Sequence, residues 1–272
     1  MWRDKETNQT TGRIAPLLKR VRSVEVKLRS ALLWTGLCML LAAPAAPAKE
    51  PNKETGTPVD AGSFGVFMNG KRVATETFSI QQTSLGSVVS SQFKAEQGLE
   101  QASQSSELQL NANGELRRYE WKELSPGKTQ AVVTPKDDFV IESVIDHPGD
   151  KAAEQPFMVP ASTSVLDDYF FIQREILAWK FLVMGCRQQK GEVQCPKDQK
   201  THFGAINPHA RSALSVSMEF SGNEKLTIHG AERELSHYVL KSDSGDWSLW
   251  LDEHNKLVRI LVAGDNTEVV RD

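Results

Sequence analysis

The sequence predicts a mainly β protein of the α+β kind, in which a curved antiparallel sheet is wrapped around one long apolar helix. Runs of alternating apolar and polar residues recur from Gly62 to the end of the chain, and turn sequences separate them. Such short, regularly spaced runs are typical of antiparallel meanders. One segment breaks this rhythm, since residues 165–184 contain no Gly or Pro and predict a central helix.

The chain starts with the three parts of a secretory signal peptide. The apolar segment Ala31–Ala48 carries no charge, follows a basic region and ends in the small-residue step Ala46-Pro47-Ala48. This order is typical of exported proteins. We therefore expect residues 1–48 to be removed by cleavage near Ala48 and the mature protein to be periplasmic. A retained membrane anchor is the alternative.

Composition limits the partners of the mature chain. The first 48 residues contain eight Lys or Arg and three Asp or Glu, so the net charge of −3 for the whole chain becomes about −8 for the rest. An acidic domain argues against nucleic-acid partners and against membrane binding by charge alone. Polar residues 49–61 predict a flexible lead-in to a single domain over 62–272.

Turn sequences define the predicted strands. Asn69-Gly70 lies between two alternating runs and is the strongest short-range signal for a β-hairpin. Asn113-Gly114 and Ser125-Pro126-Gly127 mark two further turns. Behind the helix, a second strand-rich block has predicted turns at Gly222-Asn223 and at Asp252–Asn255.

The predicted helix has an N-terminal signal and a largely apolar surface. Ser164–Asp167 has the form of a capping box. Asp168, Arg174 and Glu175 share one narrow polar stripe, and the remaining surface is apolar, as expected for a helix surrounded on most sides. A membrane span is the competing interpretation, but five charged residues in the segment argue against it.

The two cysteines that survive cleavage, Cys186 and Cys195, flank a polar, loop-like stretch. An even number of cysteines in an oxidising compartment favours a structural disulfide. A reactive or metal-binding pair is the alternative, but the sequence has no C-x-x-C spacing and no His near these cysteines.

Residues of catalytic type are present without a catalytic motif. His229 and His237 could bind zinc with a carboxylate between them, although no known spacing signature is met. Asp137-Asp138 and Asp167-Asp168 are adjacent acids that a glycoside hydrolase would have to bring to one cleft. The sequence has no phosphate-binding loop, dinucleotide-binding motif or G-x-S-x-G motif. We therefore predict no catalytic residue, no metal ligand and no cofactor.

Aromatic residues are the strongest candidates for a binding site. The predicted lining of a pocket for an apolar ligand comes from early strands and the helix, and consists of Phe67, Phe78, Tyr169, Phe170 and Trp179. The alternative is that these side chains form only the hydrophobic core. Trp247 and Trp250 differ in parity within one strand and should lie on opposite faces of the sheet, where an exposed Trp would indicate a partner surface.

Several short motifs resemble those of a group of uncharacterised bacterial envelope proteins. They are the early strand Gly62–Gly70, its partner Thr75–Ser79, the ending Trp250–Arg259 and a final Val-Val-Arg. The resemblance spans Gly62–Asp272 and implies the fold of outer-membrane lipoprotein carriers, a curved half-barrel that holds a helix in its concave face and binds acyl chains there. It supplies no catalytic residues.

Together these features predict a periplasmic, non-enzymatic protein that binds or carries a lipid or another apolar component of the envelope. One alternative is an envelope hydrolase acting on glycan or lipid, in which two of the candidate acids and histidines meet in one cleft. The other is an interaction module that docks to an envelope protein complex.

Overall fold

The computed structural model describes residues 56–96, 102–189, 192–197, 199–243, 245–262, 264 and 266–272. The predicted signal peptide, residues 1–48, lies outside the described residues, as does the first part of the predicted lead-in. No helix in the described part of the chain has the length and apolarity that a membrane crossing needs.

The first eight strands pair with one another in chain order and form an antiparallel meander. Their bounds are β1 (Thr57–Met68), β2 (Lys71–Thr83), β3 (Gly86–Ala95), β4 (Ser103–Leu110), β5 (Leu116–Ser125), β6 (Gln130–Lys136), β7 (Phe139–Ile145) and β8 (Ala153–Phe157). The predicted turns at Asn69-Gly70, Asn113-Gly114 and Ser125–Gly127 are confirmed. Asn69 and Gly70 have φ values of 51° and 73°, the geometry that a type I′ hairpin turn requires.

The prediction of a flexible lead-in up to residue 61 is wrong for its last residues. β1 already begins at Thr57, where it pairs with Gln82 of β2. The buried carboxylate of Asp60 fixes this stretch, because it accepts a hydrogen bond of 2.7 Å from Lys256 and another from Arg271. Partners distant in sequence therefore order a segment whose composition predicts a linker.

Six strands end the chain and continue the meander. Their bounds are β12 (Lys200–Asn207), β13 (Ser212–Ile228), β14 (Ala231–Ser242), β15 (Gly245–Leu251), β16 (Leu257–Val262) and β17 (Thr267–Arg271). The predicted turn at Asp252–Asn255 is confirmed between β15 and β16. The predicted turn at Gly222-Asn223 is wrong, since β13 runs straight through it with a register shift at Gly222, whose φ of 123° suits a bulge.

The helix begins later than the sequence predicts. α1 spans Ile172–Gly185, whereas the expected helix begins at residue 165. Instead Ser164–Val165 forms β9, which pairs in parallel with β12, and the carboxylate of Asp167 accepts a hydrogen bond from the N–H of Tyr169. The capping box fails because the edge of the sheet takes up the backbone groups of this segment, and tertiary contacts override local preference.

The strands form one large, open, curved sheet of 15 described strands. β1 pairs with β17, so the two meanders meet at the middle of the sheet, in the order β8-β7-β6-β5-β4-β3-β2-β1-β17-β16-β15-β14-β13-β12-β9. All described pairings except β9 with β12 are antiparallel, as predicted. Although β5 and β9 are far apart in this order, the N–H of Leu116 donates to the carbonyl of Ala161, just before β9, at 2.9 Å. The sheet is therefore strongly curved.

The buried face of α1 is less apolar than predicted. Arg174 and Glu175, expected on a narrow polar stripe, are buried. The guanidinium of Arg174 lies over the ring of Trp247 at 4.5 Å, and the carboxylate of Glu175 accepts the N–H of Leu257 at 2.7 Å. At its C-terminal end the helix exposes apolar side chains. Partners on the sheet thus bury two charged side chains that the sequence pattern places on the polar face, while Leu177, Phe181 and Leu182 are buried as predicted.

Candidate binding pocket

An open pocket of about 470 Å³ lies beside α1. Small-molecule sites are typically clefts of about 300–1,000 Å³ lined mostly by apolar side chains. The lining comes from β1 to β4, the β4–β5 turn, the β9 region and one face of the helix, and consists of Val59, Ile80, Gln82, Ser87, Leu108, Leu110, Ala112, Asn113, Gly114, Thr163, Ser164, Val165, Gln173, Ile176, Leu177, Trp179, Lys180, Val183 and Met184.

The helical side of the pocket becomes more exposed towards the C-terminal end of α1. Residues three or four positions apart share a helix face, which places Gln173, Ile176, Lys180, Val183 and Met184 along one line. At 1.5 Å per residue, this line is about 16 Å long. Gln173 is buried, Ile176 and Lys180 are half-buried, and Val183 and Met184 are exposed by 84% and 60%. The pocket therefore has a closed inner end and an open, apolar outer end.

The opposite wall is apolar at depth and polar at its edge. Ile80 of β2 and Leu108 of β4 are buried. Their strands lie on either side of β3. At the edge, the hydroxyl of Ser87 donates to the side-chain oxygen of Gln82 at 2.9 Å, so these two polar groups satisfy each other. Buried apolar side chains in the wall favour an apolar ligand, since contact with it removes further apolar surface from water.

Among the described residues of the lining, Lys180 is the one charged side chain. Its ammonium donates to the backbone carbonyl of Ser162. Burial lowers the pKa of Lys180, and the carboxylate of Glu115, acting through space, raises it. The described part of the lining thus holds one positive charge, about halfway along the helix.

A disulfide-linked pair of short strands follows the C-terminal end of the helix. The sulfur atoms of Cys186 and Cys195 are bonded at 2.06 Å, which confirms the predicted bridge. Between them, β10 (Arg187–Gln189) and β11 (Glu192–Gln194) form a separate two-stranded ribbon. A second pocket of about 330 Å³ lies here, lined by Leu182, Val183, Cys186 and Val193. Because Val183 belongs to both linings, the two pockets adjoin at the exposed end of α1.

A buried polar cluster fixes the start of the helix. The carboxylate of Asp167 accepts hydrogen bonds of 2.6 Å from the hydroxyl of Tyr119 and 2.7 Å from Nδ1 of His209. The other ring nitrogen of His209, Nε2, lies 2.7 Å from Oε1 of Gln104, and its ring stacks on Trp121 at 3.9 Å. Both imidazole nitrogens are thus engaged inside the protein. This arrangement positions the chain before α1 and leaves no ring nitrogen to act on a substrate.

The interior also contains two buried carboxyl groups with a raised pKa. Burial raises the pKa of Glu76 to about 7, although hydrogen bonds from Ser91, Phe171 and Ile172 lower it. Glu142 of β7 is fully buried, and neither of its oxygens has a hydrogen-bond partner in the described structure. Burial raises its pKa to about 7 as well. These acids stabilise the interior best when protonated, which makes them candidates for pH-dependent stability rather than for catalysis.

The predicted ligand-binding residues are only partly brought together. Trp179 lines the pocket, and its Nε1 donates to the carbonyl of Asn255 at 2.6 Å. Phe78 and Phe170 are buried in the main core, where Phe78 stacks on Phe64 at 4.9 Å. The two others are half-buried away from the pocket lining: Tyr169 contacts Phe93 and His209, and Phe67 lies beneath the guanidinium of Arg72.

The residues proposed for a hydrolase lie in separate elements. Asp137 and Asp138 occupy the β6–β7 turn, and Asp167 is buried before α1. His229, in the β13–β14 turn, lies 2.7 Å from the backbone carbonyl of Arg271, while His237 of β14 stacks on Trp250. Their described contacts do not place two of them together in a cleft.

The two tryptophans of β15 lie on opposite faces, as predicted. Trp247 contacts Arg174 of the helix. Trp250 belongs to a small cluster with Ile228, Leu235 and Val258, where its Nε1 donates to Glu224 at 2.9 Å. Trp250 is buried, so it presents no exposed aromatic surface to a partner.

Sequence reasoning missed Ile176 and Lys180 as pocket residues, and His209 and Glu76 as residues that position the helix. The spacing of Gln173, Ile176 and Lys180 places them on one helix face, so the sequence did contain a signal for Ile176 and Lys180. It did not reveal which face remained open. His209 and Glu76 are separated from their partners by 42 and 95 positions, and no local pattern connects them.

No protein-family model and no curated protein matches the sequence. The structure is similar to the crystal structure of a DUF1089 family protein from Pseudomonas aeruginosa, with a TM-score of 0.41 and 11% sequence identity. The match covers 83% of this chain and 97% of that one. This distant structural neighbour comes from a family named only as a domain of unknown function.

Proposed function

We propose that the mature protein binds or carries a lipid or another apolar component of the bacterial envelope in the pocket beside α1. The observation that carries this proposal is the pocket of about 470 Å³ with buried apolar side chains in its walls. Val183 and Met184 extend its apolar surface outward, where a chain-like ligand enters. Exposed apolar patches of this kind mark binding sites.

A half-barrel arrangement of the sheet around α1 is part of this proposal. Contacts from both meanders support it, since Glu76 of β2 binds the N-terminus of the helix and Leu257 of β16 binds Glu175. Such an arrangement would hold the helix as one fixed wall of the pocket. Export to the periplasm completes the proposal, because a disulfide persists in an oxidising compartment.

A binding role accords better with the buried cluster than a catalytic one does. His209 has both nitrogens engaged by Asp167 and Gln104, and these contacts hold the chain that leads into the helix. A general base needs a nitrogen within reach of a substrate proton. The cluster therefore contributes to the rigidity of the pocket.

Binding of a fluorescent apolar probe, N-phenyl-1-naphthylamine, tests the proposal. We expect the wild-type protein to bind the probe and Ile176→Trp, which fills the pocket, to bind it about tenfold more weakly. Leu261→Trp, placed on the exposed side of β16, serves as the matched control and should bind like the wild type. Circular dichroism establishes that both variants are folded. Equal binding by all three proteins, or no binding by the wild type, would overturn the proposal.

A further inference from the structure

The single cation of the pocket indicates the chemistry of the ligand. Lys180 lies among apolar lining residues, and the other lining residues that the structure describes are uncharged. Glu115 acts on Lys180 only through space: its carboxylate accepts from Asn111 at 2.8 Å and forms no ion pair with Lys180 in the described structure. A partly desolvated charge without an ion-pair partner is costly, and an anion beside it offsets that cost.

The ammonium also has unused hydrogen-bond donors. A lysine ammonium carries three N–H groups, and one of them donates to the carbonyl of Ser162. The remaining two can serve the oxygens of a carboxylate or a phosphate, as charge-assisted hydrogen bonds.

The position of Lys180 fixes the direction in which an amphiphile would lie. It is half-buried and one helical turn from the exposed Val183 and Met184, whereas Ile80 and Leu108 are buried deeper in the pocket. A head group at Lys180 stays near water while an acyl chain covers the buried wall. In this orientation the charged head group keeps its contact with water, and the acyl chain loses its own, so the free-energy cost of desolvation is lowest.

We infer that the ligand of this pocket is an acyl amphiphile with an anionic head, a carboxylate or a phosphate, which pairs with the ammonium of Lys180. The inference rests on the proposed function and adds the class of the ligand. The preference comes from the head group, so an uncharged ester of the same chain binds through the apolar wall alone.

Three probes with the same acyl chain test the inference in the full mature protein: palmitate, palmitoyl lysophosphatidic acid and methyl palmitate. We expect the wild type to bind at least one of the two anionic probes about tenfold more tightly than methyl palmitate, and the tighter of the two identifies the head group. Lys180→Met should lose this preference while still binding methyl palmitate. Lys180→Arg, which keeps the charge, should retain it.

Lys136→Met controls for the loss of one positive charge, since Lys136 is exposed at the end of β6. It should keep the wild-type preference. If Lys180→Met also keeps the preference, or if the wild type binds methyl palmitate as tightly as the anionic probes, the inference is wrong and the proposed function stands. If the wild type binds none of the three probes, the proposed function fails together with the inference.

Discussion

The carboxylate of Glu76, in the middle of β2, accepts a hydrogen bond of 2.7 Å from the backbone N–H of Phe171 at the start of α1. The same carboxylate lies 3.3 Å from the N–H of Ile172. Phe171 itself has no side chain that can cap the helix, and the first N–H groups of a helix need external acceptors. A strand residue 95 positions away therefore supplies the cap. It fixes the helical wall of the pocket to the sheet.

Replacement of Glu76 by Ala should destabilise the protein by about 1–3 kcal/mol, because the N–H groups of Phe171 and Ile172 would be left buried without an acceptor. Glu76→Gln keeps one acceptor oxygen and should cost less than Glu76→Ala. Urea unfolding monitored by circular dichroism measures both differences. Equal stability of the wild type and Glu76→Ala would show that the cap contributes nothing.

Stability should fall as the pH rises from about 5 to about 8. Burial raises the pKa of Glu76 and Glu142 to about 7 and that of Glu175 to about 8, from an ordinary value of 4.5. Between these values the unfolded chain has lost protons that the folded chain retains, so the free energy of unfolding decreases with pH. Urea unfolding at pH 5 and pH 8 measures this change.

Glu142→Gln isolates one contribution to that pH dependence. Gln mimics the protonated acid, so the variant should be more stable than the wild type at pH 8 and vary less between pH 5 and pH 8. Glu154→Gln, at an exposed position of β8, is the matched control and should follow the wild type. A Glu142→Gln variant with an unchanged pH profile would contradict the assignment.

The Asp167 carboxylate should be essential for stability. Asp167→Asn disrupts buried contacts to Tyr119 and His209, and a buried polar group left without its hydrogen-bond partner costs about 1–3 kcal/mol. Asp137→Asn is a suitable control, because Asp137 lies in an exposed turn with a φ of 54°, which Asn also tolerates. The two variants should differ clearly in urea midpoint; similar midpoints would argue against the cluster as a stabilising element.

The disulfide should stabilise the fold by about 2–3 kcal/mol, the value expected when a loop of about ten residues is closed. We expect Cys186→Ser with Cys195→Ser to lower the free energy of unfolding by that amount. Dithiothreitol should lower the stability of the wild type equally and leave the double variant unchanged. An effect of dithiothreitol on the double variant would point to another cause.

Much of the fold follows from local patterns. Hairpin signals such as Asn69-Gly70 place strands correctly because positive φ values at two successive residues have few alternatives. Boundaries set by distant partners do not follow in this way. Thr57 joins β1 because Gln82 pairs with it, and Ser164 becomes a strand because Ala205 of β12 is its neighbour. Neither pairing can be predicted from the residues adjacent to Thr57 or to Ser164 in the sequence.

The pocket was harder to predict than the sheet. Phe78 and Phe170 were expected to line it, but aromatic residues at alternating positions fill a core and line a pocket equally well. Trp179 was placed correctly because it lies on α1. In the sequence, Lys180 indicates only that the segment is too charged for a membrane span. Its role depends on which helix face the sheet leaves open, and that depends on the curvature of the whole sheet.

Native mass spectrometry of the mature protein isolated from its own host tests the central claim most directly. The account predicts a complex heavier than the polypeptide, whose excess mass is removed by organic solvent and is absent from Ile176→Trp. The extracted molecule should be a lipid with an acyl chain. A folded wild-type protein that carries no extractable mass, or one whose bound lipid is retained unchanged in Ile176→Trp, would contradict the account.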